Sequence, residues 1–296
     1  MSCPISGRFI RYSELRREII SQLKLSMCLS AEAAKFDAVA FKGDFKTNVA
    51  RIAALGYDGV EIAVRDPKRL DHEKVLETVF GNGLTIPAIG TGQAWGEEGL
   101  SYTDPDPKIR EQAVLRTIDH IALARKAHAV IIIGLLRGIV REGLSRQLAE
   151  QWLVEALVYV TTEAAKSGVR LALEPINRYE TTLINQVAEG LELIETVGAD
   201  NLGLLLDTFH MNIEESSIEE SIRVCGERIF HFHVADSNRL YPGAGHLDFR
   251  SLLRTLLDTG YTGFVSGEHR PDPAAEIAAR RGIDYLRALK LYPKFG

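Results

Sequence analysis

Four side chains able to bind a divalent cation stand at the ends of apolar runs in the second half of the chain. Glu174 closes RLALE, Asp207 closes LGLLLD, His233 ends IFHFH and Glu268 ends FVSGE. They are separated by 33, 26 and 35 residues, each the length of one strand-plus-helix unit. A lone acid at such a place is more often a helix cap or half of a surface ion pair. Four on successive units are a different matter, because an unpaired charge at the end of a buried strand is costly. Three clustered carboxylates without a cation would repel and raise one another's pKa values, so a shared cation is the simplest reason for the set. Two Glu, one Asp and one His suit an ion of hard to intermediate character, Mn²⁺ first, with Mg²⁺, Co²⁺ or Zn²⁺ as alternatives. His231 lies two residues before His233, on the same face of the same run, and spacing does not separate the two.

The elements that must bring these residues together are legible as an alternation. Short β-rich runs at 24–30, 59–64, 84–91, 129–136, 169–176, 202–210, 229–236 and 263–269 are nearly continuously apolar, as strands buried on both faces should be. Helical periodicity fills 48–56, 107–127, 145–168, 188–198, 251–260 and 274–290. The phrases GYDG and GYTG precede the second and eighth runs, which suggests one helix–turn–strand joint used twice. Eight β/α repeats in a chain of 296 residues predict an α/β protein, a closed (β/α)₈ TIM barrel in one domain over 23–296. An open doubly wound sheet would need a glycine-rich phosphate loop after an early strand. The nearest candidate, GNGLTIPAIGTG, brackets its strand with glycines instead. In such a barrel the chemistry sits at the C-terminal ends of the strands, where all four residues fall. Residues 1–22 read as an N-terminal extension, either a capping helix over SELRREIISQL or a disordered start.

Composition narrows the function classes. With 46% apolar and 25% charged residues the chain reads as an ordinary soluble globular protein. A net charge of −5 gives no support for a nucleic-acid partner. No uninterrupted apolar stretch marks a signal peptide or a membrane span. Cys3, Cys28 and Cys225 stand far apart without CxxC spacing, which argues against a disulfide framework or a thiolate metal site and fits a reducing cytoplasm.

The segments EPINRYETTLIN (174–185), VGADNLGLLLDTFHMNIEE (197–215), HFHVADSNRLYPGAGHLDF (231–249) and GYTGFVSGEH (260–269) resemble the xylose isomerase-like TIM-barrel superfamily. Within it they are similar to the D-tagatose, D-psicose and L-ribulose 3-epimerases, LLDTFHMNIEE most specifically. The resemblance implies that Glu174, Asp207, His233 and Glu268 bind the metal, that His233 and not His231 is the ligand, and that Glu174 and Glu268 form the acid/base pair. It also implies substrate contacts from Glu180, His210 and Arg239, and a homodimer or homotetramer. The reaction implied is epimerisation beside the ketone of a ketose, with the cation stabilising the enediolate that forms. Glu268-His269-Arg270 departs from the family's Glu-Pro-Phe-like ending, and Arg137 stands in the loop after the fourth strand. Either arginine could hold the carboxylate of a keto-sugar acid such as 5-keto-gluconate, or simply sit in a rim ion pair. Glu61, which ends the second strand, reads as structural support, Trp95 as a pocket wall or plain packing, and Asp236 as an orienting group for His233 or for the loop of Arg239.

The rival readings share the fold. An aldose–ketose isomerase or an inosose-type dehydratase would use the same metal site on a different carbon. An apurinic-site endonuclease would need several metals, more histidines and a basic face. A non-catalytic sugar-binding barrel would not need both glutamates.

Overall fold

The computed structural model describes residues 23–289 and 291, so the expectation of a separate extension over 1–22 lies outside the described residues. Eight parallel strands close on themselves in sequence order. They are β1 (Lys24–Ser30), β2 (Gly59–Ala63), β3 (Ala88–Gly90), β4 (Val130–Ile133), β5 (Leu171–Leu173), β6 (Leu202–Asp207), β7 (Ile229–Val234) and β8 (Phe264–Gly267). β1 completes the cylinder by pairing with β8, Lys24 opposite Phe264 and Met27 opposite Gly267.

Ten α-helices surround the strands among the described residues. In chain order they are α1 (Phe45–Ala54), α2 (His72–Gly81), α3 (Gly92–Glu98), α4 (Pro107–Ala127), α5 (Arg146–Ala165), α6 (Val187–Val197), α7 (Thr208–Glu214), α8 (Ile218–Cys225), α9 (Phe249–Asp258) and α10 (Ala275–Ala288). All eight strand positions agree with the periodicity, and α4 coincides with the predicted 107–127. The strand expected over 202–210 is too long, however. Asp207 accepts a hydrogen bond from Phe209 N at 2.8 Å, and α7 begins there. His210 therefore rides on the first turn of a helix and not at the end of a strand. None of the described helices is long and apolar enough to cross a membrane.

The two-residue period of the strands sorts side chains into two cores. Outward-facing residues such as Leu25, Met27, Ile62, Ile131, Leu173, Leu204 and Phe232 pack against the helices in one large cluster. Inward-facing Ala88, Val130, Ile132, Ala172 and Leu205 form a small separate core in the lumen. The opposite side of the lumen is polar. Ser26, Glu61, His231 and Ser266 are all buried there, and the Ser26 and Ser266 hydroxyls are hydrogen-bonded to each other. Pairing between β6 and β7 slips between Leu204 and Leu205, so that Leu204 faces Ile229 but Leu205 faces His231. This irregularity brings Asp207 opposite His233 at the barrel mouth; unbroken register would have placed it opposite Phe232.

Candidate metal centre and active site

One ligand atom from each of Glu174, Asp207, His233 and Glu268 lies within 4.8 Å of the others at the C-terminal mouth of β5–β8. Opposite ligands of an ion bonded at about 2.1 Å lie about 4.2 Å apart, so small side-chain rotations close the set around one cation. The donor atoms support that fit. Asp207 Oδ2 and His233 Nδ1 are buried without any hydrogen-bond partner, which is costly unless something occupies the space between them. Asp207 does two jobs, since its Oδ1 caps α7 while Oδ2 faces the cluster. Gly134 at the end of β4 makes room for Glu174, because a Cβ there would come within 2.9 Å of Glu174 Oε2.

The two histidines that spacing left equivalent occupy different layers. His231 Nε2 reaches Glu61 at 2.7 Å and Ser266 Oγ at 2.9 Å, inside the polar half of the lumen. His233 Nε2 reaches the same Glu61 oxygen at 2.9 Å, while its Nδ1 stands 3.8 Å from Glu268 Oε2. A carboxylate on Nε2 fixes the hydrogen there and leaves Nδ1 to face the cluster. Glu61, 4% exposed, does not end β2 as the sequence suggested but sits at its middle with its side chain in the lumen, where it supports the two histidines. Burial opposes its charge, but His233 and His231 together hold its carboxyl well below the usual range. Glu61→Gln should weaken Mn²⁺ binding by about 10–100-fold, the usual cost of losing such an orienting partner, with the fold retained. Isothermal titration of the metal-free protein measures this, and an unchanged affinity would show that Glu61 does not tune His233.

Without a cation the site is unevenly charged. Burial raises Glu174 well above its ordinary range, with the charges of Glu268 and Asp207 adding to it. Burial also lifts Glu268 to about 7, against the pull of His233 and Arg239. Asp207 is raised by burial too. His233 moves the other way from a normal buried histidine: burial disfavours its charge, yet Glu61 and then Glu268 lift it to about 10. A proton on Nδ1 thus takes the position where the donor set has room for a metal ion.

His210 and its neighbours stand beside the cluster. Asn177 Nδ2 lies 2.7 Å from His210 Nδ1, so that nitrogen accepts and the hydrogen sits on Nε2. Nε2 is 3.7 Å from Glu174 Oε1 and 3.8 Å from Asp207 Oδ2. Burial, with Arg239 and Arg137 nearby, keeps His210 neutral by lowering its pKa well below the ordinary value. It offers the cavity a neutral N–H donor. Glu180 Oε1 accepts from Asn177 Nδ2 at 3.0 Å and from Arg239 Nη1 at 2.7 Å. Arg239 Nη2 comes within 3.9 Å of Glu268, and its guanidinium lies over the rings of Phe209 and Phe36.

The loop that carries Arg239 is tied down by hydrogen bonds. Asp236 accepts from the backbone N–H groups of Ser237, Gly243 and Leu247, which settles its open role in favour of the loop. Gly245 permits this approach, since a Cβ would lie 2.3 Å from Asp236 Oδ1. Arg239 itself has a φ of 60°, a left-handed conformation that the tied loop imposes.

Arg137 corrects an expectation. It is completely buried and donates to the carbonyls of Glu174, Leu183 and Ile184, so it has no free edge for a substrate carboxylate. It acts as a clamp that ties the end of β5 to the following loop, where Ile184 is held at a φ of 53°. Nothing in GLLRGIV signals that its partners would be three carbonyls. Arg270 does line the cavity, at its exposed rim, as do Glu180, His210, Arg239 and Trp95. The cavity has a volume of about 710 Å³ and includes Glu174, His233 and Glu268.

The architecture has known relatives. The sequence pattern of the family described as xylose isomerase-like TIM barrel matches residues 49–289. The chain is 33% identical over 232 residues to a D-psicose 3-epimerase of Ruminiclostridium cellulolyticum, covering 76% of this chain and 78% of that protein. It is 35% identical over 251 residues to a 3-dehydro-D-guloside 4-epimerase of Escherichia coli, covering 80% of this chain and 91% of that protein. The crystal structure of D-psicose 3-epimerase with D-tagatose from Clostridium cellulolyticum H10 superposes with a TM-score of 0.77 at 26% identity, covering 91% of this chain and 100% of that one. The match over residues 49–289 and the identity to these epimerases show that the chain belongs to the xylose isomerase-like TIM barrel family and is an isomerase of the sugar-epimerase kind.

Proposed function

We propose that this protein is a divalent-metal-dependent epimerase that inverts a carbon next to the ketone of a ketose-type sugar, with Glu174 and Glu268 transferring the proton. The observation that carries this reading is the meeting of two glutamates, three strands apart around the barrel, with the unpartnered Asp207 Oδ2 and His233 Nδ1 in one cluster at the barrel mouth. Glu174, Asp207, His233 and Glu268 would hold the cation, Mn²⁺ foremost. A bound cation supplies positive charge beside the carbonyl oxygen and so acidifies the neighbouring C–H.

The chain's own residues then carry the reaction. One glutamate, ionised, takes the proton from one face of the carbon; the other, protonated, returns one to the opposite face. No electrons are gained or lost, and the pair ends with its protonation exchanged, ready for the reverse reaction or for re-equilibration. Burial raises both Glu174 and Glu268 above the ordinary carboxylate range, so either is able to carry the proton that the acid role requires. His210 Nε2–H and the Arg239 guanidinium are donors for the sugar's oxygens, and Glu180 is an acceptor that also holds Arg239 in place. Arg270 at the rim is the remaining candidate for an acidic substituent, now that Arg137 is committed elsewhere.

The relatives include a protein named for a free ketose and one named for a glycoside, so their names leave both kinds of substrate open. An aldose–ketose isomerase or a dehydratase on the same site would move a proton to a different carbon or expel a hydroxyl. Incubation of the Mn²⁺-loaded protein with ketoses in D₂O, followed by NMR, separates these outcomes. Deuterium entering only at the inverted carbon next to the ketone is expected. Label at C1 with aldose formation, or loss of water, would replace the epimerase reading.

A further inference from the structure

The polar half of the barrel lumen holds a second set of metal-competent side chains. Cys28 of β1 stands opposite Glu61 of β2 in the strand register. His233 of β7 reaches the same Glu61 from another side of the lumen, its Nε2 at 2.9 Å from the carboxylate. One donor atom from each of Cys28, Glu61 and His233 lies within 4.8 Å of the other two. All three residues are buried, yet all three line the cavity, so an ion that enters the mouth can reach them. The lack of CxxC spacing speaks against a site with several thiolates but not against this one, because each donor comes from a different strand.

The residue types suit a thiophilic ion. A thiolate, an imidazole and a carboxylate are all ligands of Zn²⁺, and the thiolate shifts preference away from Mn²⁺ and Mg²⁺. Bonds of about 2.0–2.3 Å in a tetrahedron hold the ligands about 3.3–3.6 Å apart, so a slight opening of the Glu61–His233 pair admits the ion. Thiolate and carboxylate together neutralise a divalent charge, and the fourth position faces the cavity. In the ion-free protein hydrogens fill this role. The Cys28 thiol is within hydrogen-bonding reach of Glu61, which also meets His231 at 2.7 Å. Binding releases two protons, one from the thiol and one from His233 Nε2, with no change of oxidation state. His231 keeps its hold on Glu61 and orients it.

His233 belongs to both donor sets. Its Nδ1 faces the outer cluster and its Nε2 the inner one. Serving two ions at once would strip both hydrogens from the ring, and two cations one ring apart repel each other. The ions therefore bind at each other's expense.

We propose that Cys28, Glu61 and His233 Nε2 form an inner site for a thiophilic divalent cation, Zn²⁺ or Cd²⁺, which weakens Mn²⁺ binding by engaging His233 and so inhibits the enzyme. The site stands independently of the epimerase reading; only the inhibition rests on it.

The test titrates Cd²⁺ into the whole chain and follows the ultraviolet thiolate-to-cadmium charge-transfer band, with Cys3→Ala as the parent. The band should grow to one thiolate-bound Cd²⁺ per chain. Adding Cys28→Ser should abolish it, although Cys225 remains. Should that variant fail to fold by circular dichroism, Cys28→Ala replaces it. In Glu61→Gln the half-saturating Cd²⁺ concentration should rise by at least about tenfold. Saturating Mn²⁺ should raise it by about 5–150-fold, and the Cys28-dependent weakening of Mn²⁺ by Cd²⁺ should match, since coupling between two sites is reciprocal. With a ketose that is turned over, Cd²⁺ should inhibit at the concentration that forms the band, and Cys28→Ser should need at least about tenfold more.

No band, or a band that the Cys28 variants leave in place, would overturn the site. A Cys28-dependent band that Mn²⁺ leaves unshifted would overturn the competition. If no sugar is epimerised, the band and its shift still decide the inner site, so the two readings fail separately.

Discussion

Glu268→Gln is expected to lower kcat for exchange at the carbon beside the ketone by roughly 10²–10⁴-fold, the contribution of one positioned proton-transfer group. The substitution keeps the size of the side chain and an oxygen able to face the cation, so the Mn²⁺ content at saturating metal should stay near one per chain. What is lost is the ability to hold and release a proton, an ability that burial favours by raising the Glu268 carboxyl above its ordinary range. Glu174→Gln should fall by a similar factor, and the double variant by little more, because each glutamate needs the other to complete inversion. Single-turnover measurements in D₂O read this directly. A Glu268→Gln enzyme that exchanged protons at the parent rate with full metal content would remove Glu268 from the chemistry.

Stripped of divalent cations with a chelator, the protein should lose stability as pH rises from about 6.5 to about 8, and Mn²⁺ should restore it; His120, His210, His231 and His269, all lowered by burial, act with the opposite sign but only below 6.5. Glu268 moves from an ordinary value of 4.5 up to about 7 in the folded chain. Between those values the native state binds more protons than the unfolded one, so stability falls as pH rises through the window. For Glu268 alone the shift corresponds to about 3 kcal/mol. Glu174 and Asp207 are raised as well and act with the same sign. His233, lifted from 6.5 to about 10, extends the decline above neutrality: its stabilisation is complete below 6.5 and lost towards 10. Glu61 is lowered, so its stabilisation is lost only as pH falls below the ordinary carboxylate range.

A cation that binds the native state replaces these protons and adds about 4 kcal/mol at a thousandfold excess over Kd. The rise in Tm on adding Mn²⁺ should therefore be larger at pH 8 than at pH 6.5. Thermal unfolding at both pH values checks it, and a cation-free Tm that was flat or climbing across the window would contradict the charge balance described here.

Much of this was legible before any coordinates, and the reasons are local. The β-rich runs marked eight strands because both faces of each are covered, and charged residues stand out where such a run ends. Glu174, Asp207, His233 and Glu268 were visible for that reason, whereas Glu61 stands at the middle of β2 and faces the lumen. What stayed hidden depends on groups that leave no pattern in the chain. The three carbonyls that engage Arg137 come from residues 37 to 47 positions away, and a backbone acceptor has no sequence signal. α7 was hidden because Asp207 ends a strand and caps a helix in the same residue, so TFH reads as more strand. The tying of the Arg239 loop is hidden because a glycine that allows close approach to Asp236 looks, in a sequence, like a glycine that allows motion. Ser26 and Ser266 carried a usable hint that went unread. In KLSMCLS the positions 26, 28 and 30 alternate with apolar ones, which marks a small, polar inner face.

The central claim is that one cation is shared by side chains from β5, β6, β7 and β8. Crystals grown with Mn²⁺ and measured at the manganese absorption edge test it most directly. A single anomalous peak within bonding distance of Glu174, Asp207, His233 Nδ1 and Glu268 is the predicted result. A peak on other groups, or none at this mouth with Mn²⁺ at saturating concentration, would contradict it.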